Sequence, residues 1–136
     1  MNLSGRSTLA MALNAALRGD PGAIAELSAA GNSQIVAAAD ELPGPLVLTG
    51  EAVATVLQGL VKRKLDPADC QAWASFVRRG YVSNAAGGAT DSLDIDYELT
   101  RDEQIADAVS RLDELGDVID GEISDDEAFE LIHSLR

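Results

Sequence analysis

Apolar positions along this chain return mostly at steps of three and four residues, the period of a helix. Ser7 is placed to cap a first helix over Leu9, Met11, Leu13, Ala16 and Leu17, which Gly19 ends. Asp20-Pro21 restarts a short helix carrying Ile24 and Leu27, with Asp as cap and Pro at the first position. Gly31-Asn32 breaks it, and Ser33 begins another over Ile35, Val36 and Ala39. Leu42 to Gly50 is a proline-stiffened connection. Val47 and Leu48 could extend briefly, but with no partner strand in view they read as loop.

Thr49 then caps a longer helix over Val53, Val56, Leu57, Leu60 and Val61. Lys62-Arg63-Lys64 stands at its carboxyl end, where cations suit the helix dipole. Asp66-Pro67-Ala68-Asp69 opens a helix that carries Cys70, Trp73, Phe76 and Val77 inward and ends near Gly80. Residues 82–99, including "SNAAGGATDSLDID", read as a flexible acidic loop. Thr100 with Glu103 makes a capping box before the most regular helix, whose apolar stripe is Ile105, Val109, Leu112, Leu115 and Ile119. Glu103, Asp107, Glu114 and Asp117 form an acidic stripe on another face, and Asp107 is spaced to pair with Arg111. Gly121 stops that helix. Ser124 with Glu127 opens the last one, over Ala128, Leu131, Ile132 and Leu135.

The predicted fold is all-α, an antiparallel helical bundle of about seven helices in one domain over residues 1–136. Residues 1–48 form a cap of short helices and 49–81 a helical hairpin. Residues 82–99 are the Gly-containing loop and 100–136 an acidic helical hairpin. The four helices from Thr49 onward make the core bundle. A chain of 136 residues with 46% apolar side chains suffices for one core, though a lean one, since the aromatics are only Trp73, Tyr81, Tyr97, Phe76 and Phe129.

Charge sharpens this picture. The net charge is −13, and all of it lies in residues 82–136, where sixteen acids face only Arg101, Arg111 and Arg136. Such a field attracts basic partners and repels nucleic acid and anionic membranes; alternatively the acid serves solubility alone. Cys70 is the one cysteine, so no intrachain disulfide forms, and its place beside Trp73 reads as a buried apolar position in a reducing cytoplasm. No run of about 20 apolar residues is present. The opening "MNLSGRSTLAMALNAALRGD" reads as the first helix of the fold and not as a signal.

The ending "ELGDVIDGEISDDEAFELIHSLR" half-resembles a calcium loop, with Asp120, Gly121, Ile123 and Glu127 at its fifth, sixth, eighth and twelfth positions. The first and third positions are then Gly116 and Val118, which offer no side-chain oxygen. A helical hairpin accounts for every residue. Residues 56–78 align without gaps on 114–136, placing Leu65 on Ile123, Asp66 on Ser124, Asp69 on Glu127 and Trp73 on Leu131. Only Leu57/Leu115 and Arg78/Arg136 are identities, so the two segments share a physical pattern and no duplication is claimed.

Catalytic signatures are lacking. His133 has no cysteine nearby for a metal site, and Gly80, Gly87 and Gly88 form no phosphate-cradling motif. The expectation is a non-enzyme without metal or cofactor. Lys62–Lys64 and Arg78-Arg79 could flank a DNA-reading helix, but that helix offers only Gln71 and Ser75 as base readers. The basic clusters could instead dock the acidic half of the same chain.

"VIDGEISDDEAFELIHSL", and more loosely "LVKRKLDPADCQAWASFV", resembles the L-x-G-x-I-S-x-x-E hairpin of small acidic bacterial immunity proteins of the colicin D kind. The resemblance covers one hairpin. The chain is longer than those proteins and carries its better copy last. The resemblance implies a helical bundle that binds a basic toxin nuclease and blocks its active site with carboxylates. The contact residues it suggests are Asp94, Asp96, Glu98, Glu103, Asp107, Glu114 and Asp117. The expected function is therefore non-catalytic binding of a basic protein partner, a toxin or a nucleic-acid-binding protein, as an immunity or inhibitor protein. Two alternatives stand beside it: a bacterial or phage assembly module pairing through an apolar surface, and a helix-turn-helix nucleic-acid binder.

Overall fold

In a computed structural model the chain is described over residues 8–81, 93–115 and 122–136. Seven α-helices stand among the described residues: α1 (Thr8–Leu17), α2 (Ala23–Ser28), α3 (Asn32–Ala39), α4 (Gly50–Val61), α5 (Pro67–Arg79), α6 (Asp102–Asp113) and α7 (Asp125–Ser134). Two short strands, β1 (Leu46–Leu48) and β2 (Ile95–Tyr97), and a 3-10 turn at Leu99–Arg101 complete them. The fold is mostly helical, as the periodicity predicts.

Local chemistry sets most boundaries. Thr49 accepts from the Ala52 amide at 3.2 Å and caps α4, and Asp66 accepts from the Ala68 amide at 2.9 Å with Pro67 at the first helical position of α5. Gly80 closes α5 in the left-handed conformation at φ +81°, with its amide donating to Phe76 O at 2.7 Å.

Three starts differ from expectation. Asp20 caps no helix directly: its Oδ1 accepts from the Gly22 amide at 3.0 Å in a tight turn, so α2 begins at Ala23. α3 begins at Asn32, one residue before Ser33, with Gln34 Oε1 accepting from the Gly31 amide. Thr100 lies in the 3-10 turn, and Asp102 Oδ1 takes the Glu103 amide, so α6 starts at Asp102 without a Thr100–Glu103 capping box. The Ser7 cap lies outside the described residues.

The connection read as loop at Val47–Leu48 is a strand, and so is part of the segment read as a flexible loop. β1 pairs in parallel with β2, Leu46 opposite Ile95 and Leu48 opposite Tyr97. Alternation explains the pairing: Leu48 is fully buried, Leu46, Ile95 and Tyr97 are half-buried, and Val47 and Asp96 face out. The Glu98 amide donates to Leu48 O at 2.9 Å and continues the ladder. Residues 82–92, with Gly87 and Gly88, lie outside the described residues.

One core draws on every helix, from Leu13 of α1 and Leu27 of α2 to Leu112 of α6 and Ile132 of α7. Trp73 lies at its centre, fully buried, with Nε1 donating to Ala16 O at 2.7 Å, so α5 is tied to the end of α1. Met11, expected on the apolar stripe of α1, is 57% exposed; it stands two positions from Leu13 and so falls off the face that Ala10, Leu13, Ala16 and Leu17 bury. The helix pairs expected as hairpins, α4–α5 and α6–α7, do touch. The broader faces run between them, α4 on α7 and α5 on α6. Gly50 makes the first of these possible, because a Cβ there would stand 2.8 Å from Leu135 O.

Candidate partner-binding face

α7 is positioned by its start. Ser124 is extended, and its hydroxyl accepts from the Glu127 amide at 3.1 Å. Asp125, Asp126 and Glu127 fill the first turn, where the helix dipole favours negative charge. Of the three, Glu127 turns inward. Its Oε2 takes Arg111 Nε at 2.6 Å and its Oε1 takes Arg111 Nη2 at 3.2 Å, a two-point fork from α6 to α7. Arg111 also reaches Glu114 at 3.3 Å and donates to the Glu122 carbonyl. The expected Asp107–Arg111 pair gives way to these contacts, since Glu127 offers the fork that Asp107, one turn back on the same helix, does not.

The carboxylate at the twelfth position of the half calcium loop is thus engaged by an arginine. Asp120 and Gly121 lie outside the described residues, and no cluster of three or more potential metal ligands occurs among the described ones.

The arginines of the acidic half are all held. Arg101 donates to Arg136 O at 2.9 Å, Arg111 makes the fork, and Arg136 stands 3.6 Å from Glu51. Farther back, Arg78 Nη1 meets Asp113 at 2.9 Å, and Arg79 lies 3.7 Å from the same carboxylate. Asp113 is 6% exposed in its side chain and also accepts from Gln71 Nε2 at 3.4 Å, so it pins α5 to α6. The basic pair Arg78-Arg79 therefore docks onto the acidic half. Lys62, Arg63 and Lys64 are exposed and carry no ion pair among the described residues.

The suggested contact acids divide. Asp94 and Asp96 are exposed on one side of the β2 segment, and Glu103 and Asp107 are exposed one turn apart on α6. Glu98 is half-buried and accepts from the Gly50 amide at 3.1 Å, which makes it a structural side chain. Glu114 is held by Arg111. Asp117 and Ile119 lie outside the described residues.

The outer face of α7 joins the exposed set. Asp125, Asp126, Glu130 and His133 are exposed there, and Phe129 stands among them 57% exposed. Phe129 is legible in retrospect, because it lies off the stripe Ala128, Leu131, Ile132 and Leu135.

Burial favours the protonated form of two side chains, Cys70 and Tyr97. Burial pushes the Cys70 thiol from 9.0 up to about 11, with Asp69 and then Asp66 adding to the rise. Burial also raises Tyr97 above its ordinary value, against the opposing pull of Arg78.

No family model matches the chain, and no curated protein or solved structure matches it. No helix among the described residues is long and apolar enough to cross a membrane.

Proposed function

We propose that the chain is a non-catalytic binding protein that engages a basic protein partner through its acidic carboxyl-terminal half, in the manner of a bacterial immunity or inhibitor protein. The helices from α4 onward act as an antiparallel bundle that presents the acid, in a cytoplasmic setting. One observation carries the reading. Every arginine of residues 93–136 is engaged within the fold, while Asp94, Asp96, Glu103 and Asp107 remain exposed with no ion pair among the described residues. The mechanism is electrostatic steering followed by charge-paired cover of a surface that would otherwise bind nucleic acid.

The assembly-module alternative finds less support, since Met11 is the one large apolar side chain exposed on α1–α3 among the described residues. The nucleic-acid alternative is weakened by the docking of Arg78 and Arg79 on Asp113.

The test is capture from source cells on the immobilised chain at about 0.1 M and about 0.5 M salt, where the Debye length falls from about 10 Å to a few ångström. A basic protein held at low salt and shed at high salt is expected, with retention lost when Asp94, Asp96, Glu103 and Asp107 are all changed to their amides. Equal retention by that variant would remove the acidic half from the mechanism.

A further inference from the structure

The surface opens into a cleft of about 620 Å³ where the end of α4, the start of α5 and the start of α7 meet. That is a volume typical of ligand and side-chain sites, about 300–1,000 Å³. Leu60, Val61, Leu115, Ile123 and Ala128 give it an apolar lining. The acids Glu122, Asp125 and Asp126 stand on its α7 side, all exposed and none in an ion pair among the described residues.

Among the described residues the single cation lining it is Arg63, and the way α4 ends puts it there. The Arg63 amide donates to Leu60 O at 3.1 Å and the Lys64 amide to Gly59 O at 2.9 Å, the two bonds of a Schellman close. That close requires a left-handed residue, and Arg63 takes it at φ +58° where glycine is usual. Phe129 follows Asp125 by one turn on α7 and is exposed.

We propose that this cleft is the anchor point for a basic segment of a partner protein. A large apolar side chain of the segment enters between Val61 and Ala128, and its neighbouring lysines or arginines meet Asp125, Asp126 and Glu122. The proposal rests on the reading of the chain as a binder of a basic protein and places its apolar anchor. Charge selects the occupant: among the described residues three exposed carboxylates against one arginine repel an acidic segment and leave a neutral one no electrostatic gain. The apolar floor supplies what the open acidic face lacks, a desolvated contact that salt does not screen.

The experiment uses the full chain, isotopically labelled, and two synthetic peptides of equal length and charge, one alternating lysine with leucine and one alternating lysine with serine. Each is titrated at about 0.1 M and about 0.5 M salt by calorimetry and by amide chemical shifts. The lysine–leucine peptide is expected to bind about tenfold more tightly, the worth of burying one such side chain. It should shift the Val61, Ile123 and Ala128 amides and persist at high salt.

Val61→Lys should erase the preference while keeping the fold, since Val61 is half-buried and a cation suits a helix end. Asp125→Asn with Asp126→Asn should weaken both peptides at low salt. Equal affinities for the two peptides, both shed at high salt, would overturn the cleft and leave the electrostatic reading standing. Shifts confined to other surfaces, or a preference that survives Val61→Lys, would overturn it as well. Failure of both peptides to bind at low salt would take the broader reading down with it.

Discussion

The segments entering α5 and α7 are built to one plan and end as opposites. Each has a half-buried plug, Leu65 or Ile123, then a side-chain cap, Asp66 or Ser124, then a small buried residue one turn in, Cys70 or Ala128. Beyond that, α5 buries Trp73, Ala74, Ser75, Phe76 and Val77, whereas α7 buries only Ile132 before its last residues. The shared plan sets how a helix enters the fold. The outer positions decide whether it becomes core or surface, and only α7 keeps a charged face with an aromatic in it.

Aligned positions allow that contrast to be broken one pair at a time. The largest effect is expected at Trp73 and Leu131. Trp73→Ala removes the centre of the core and the bond to Ala16, at about 3–5 kcal/mol, against about 1–2 kcal/mol for Leu131→Ala at its half-buried position. Urea midpoints at unchanged slope measure both. Equal losses would mean that α7 is as much core as α5.

Cys70 and Ala128 come next. The Cys70 thiol ionises near 9.0 when exposed and at about 11 in the fold, so the folded chain holds its proton longer. Stability from this group is full below pH 9 and falls as the pH rises toward 11, by at most about 2–3 kcal/mol. Cys70→Ala, which puts the residue of the aligned position there, should flatten that decline in pH-resolved denaturation. An unchanged slope would assign the loss to other groups.

The caps should behave alike. Asp66→Ala and Ser124→Ala are each expected to cost about 1 kcal/mol. A much larger loss at Ser124 in the same denaturation assay would show that α7 depends on its start as α5 does not.

The smallest effect is expected at Gln71 and Phe129. Gln71→Ala loses contacts to Asp113 at 3.3 and 3.4 Å, about 0.5–1 kcal/mol, and Phe129→Ser stays within about 0.5 kcal/mol of the parent. A Phe129→Ser melting temperature well below the parent's would make Phe129 a packing residue and blunt the contrast at its sharpest point.

Much of this fold is legible in sequence because helices announce themselves locally. Thr49, Asp66 and Ser124 cap where their neighbours require it, and the stripe Ile105, Val109, Leu112 and Leu115 is buried throughout. The strands are not legible. Three residues are too few to show alternation, and a parallel partner leaves no turn between them to read.

The acids split for the same reason. Asp94, Asp96, Glu103 and Asp107 are exposed as their positions suggest, but Glu98 and Glu114 are taken by Gly50 and Arg111. For Glu98 the partner lies 48 residues away, out of reach of any local rule. Thr100 loses its helix start because Asp102 captures the Glu103 amide first.

The small sheet bears on the order of folding. Leu46 and Ile95 are 49 positions apart, and parallel pairing closes that long loop before any ladder bond repays its entropy. α4 likewise waits for α7, which is made after it. During synthesis the neutral first half therefore emerges with its apolar side uncovered, and the acidic half completes it. A chain halted after residue 81 would leave Leu48 without its ladder and α4 without its cover, a substrate for chaperones and proteases instead of a smaller folded protein.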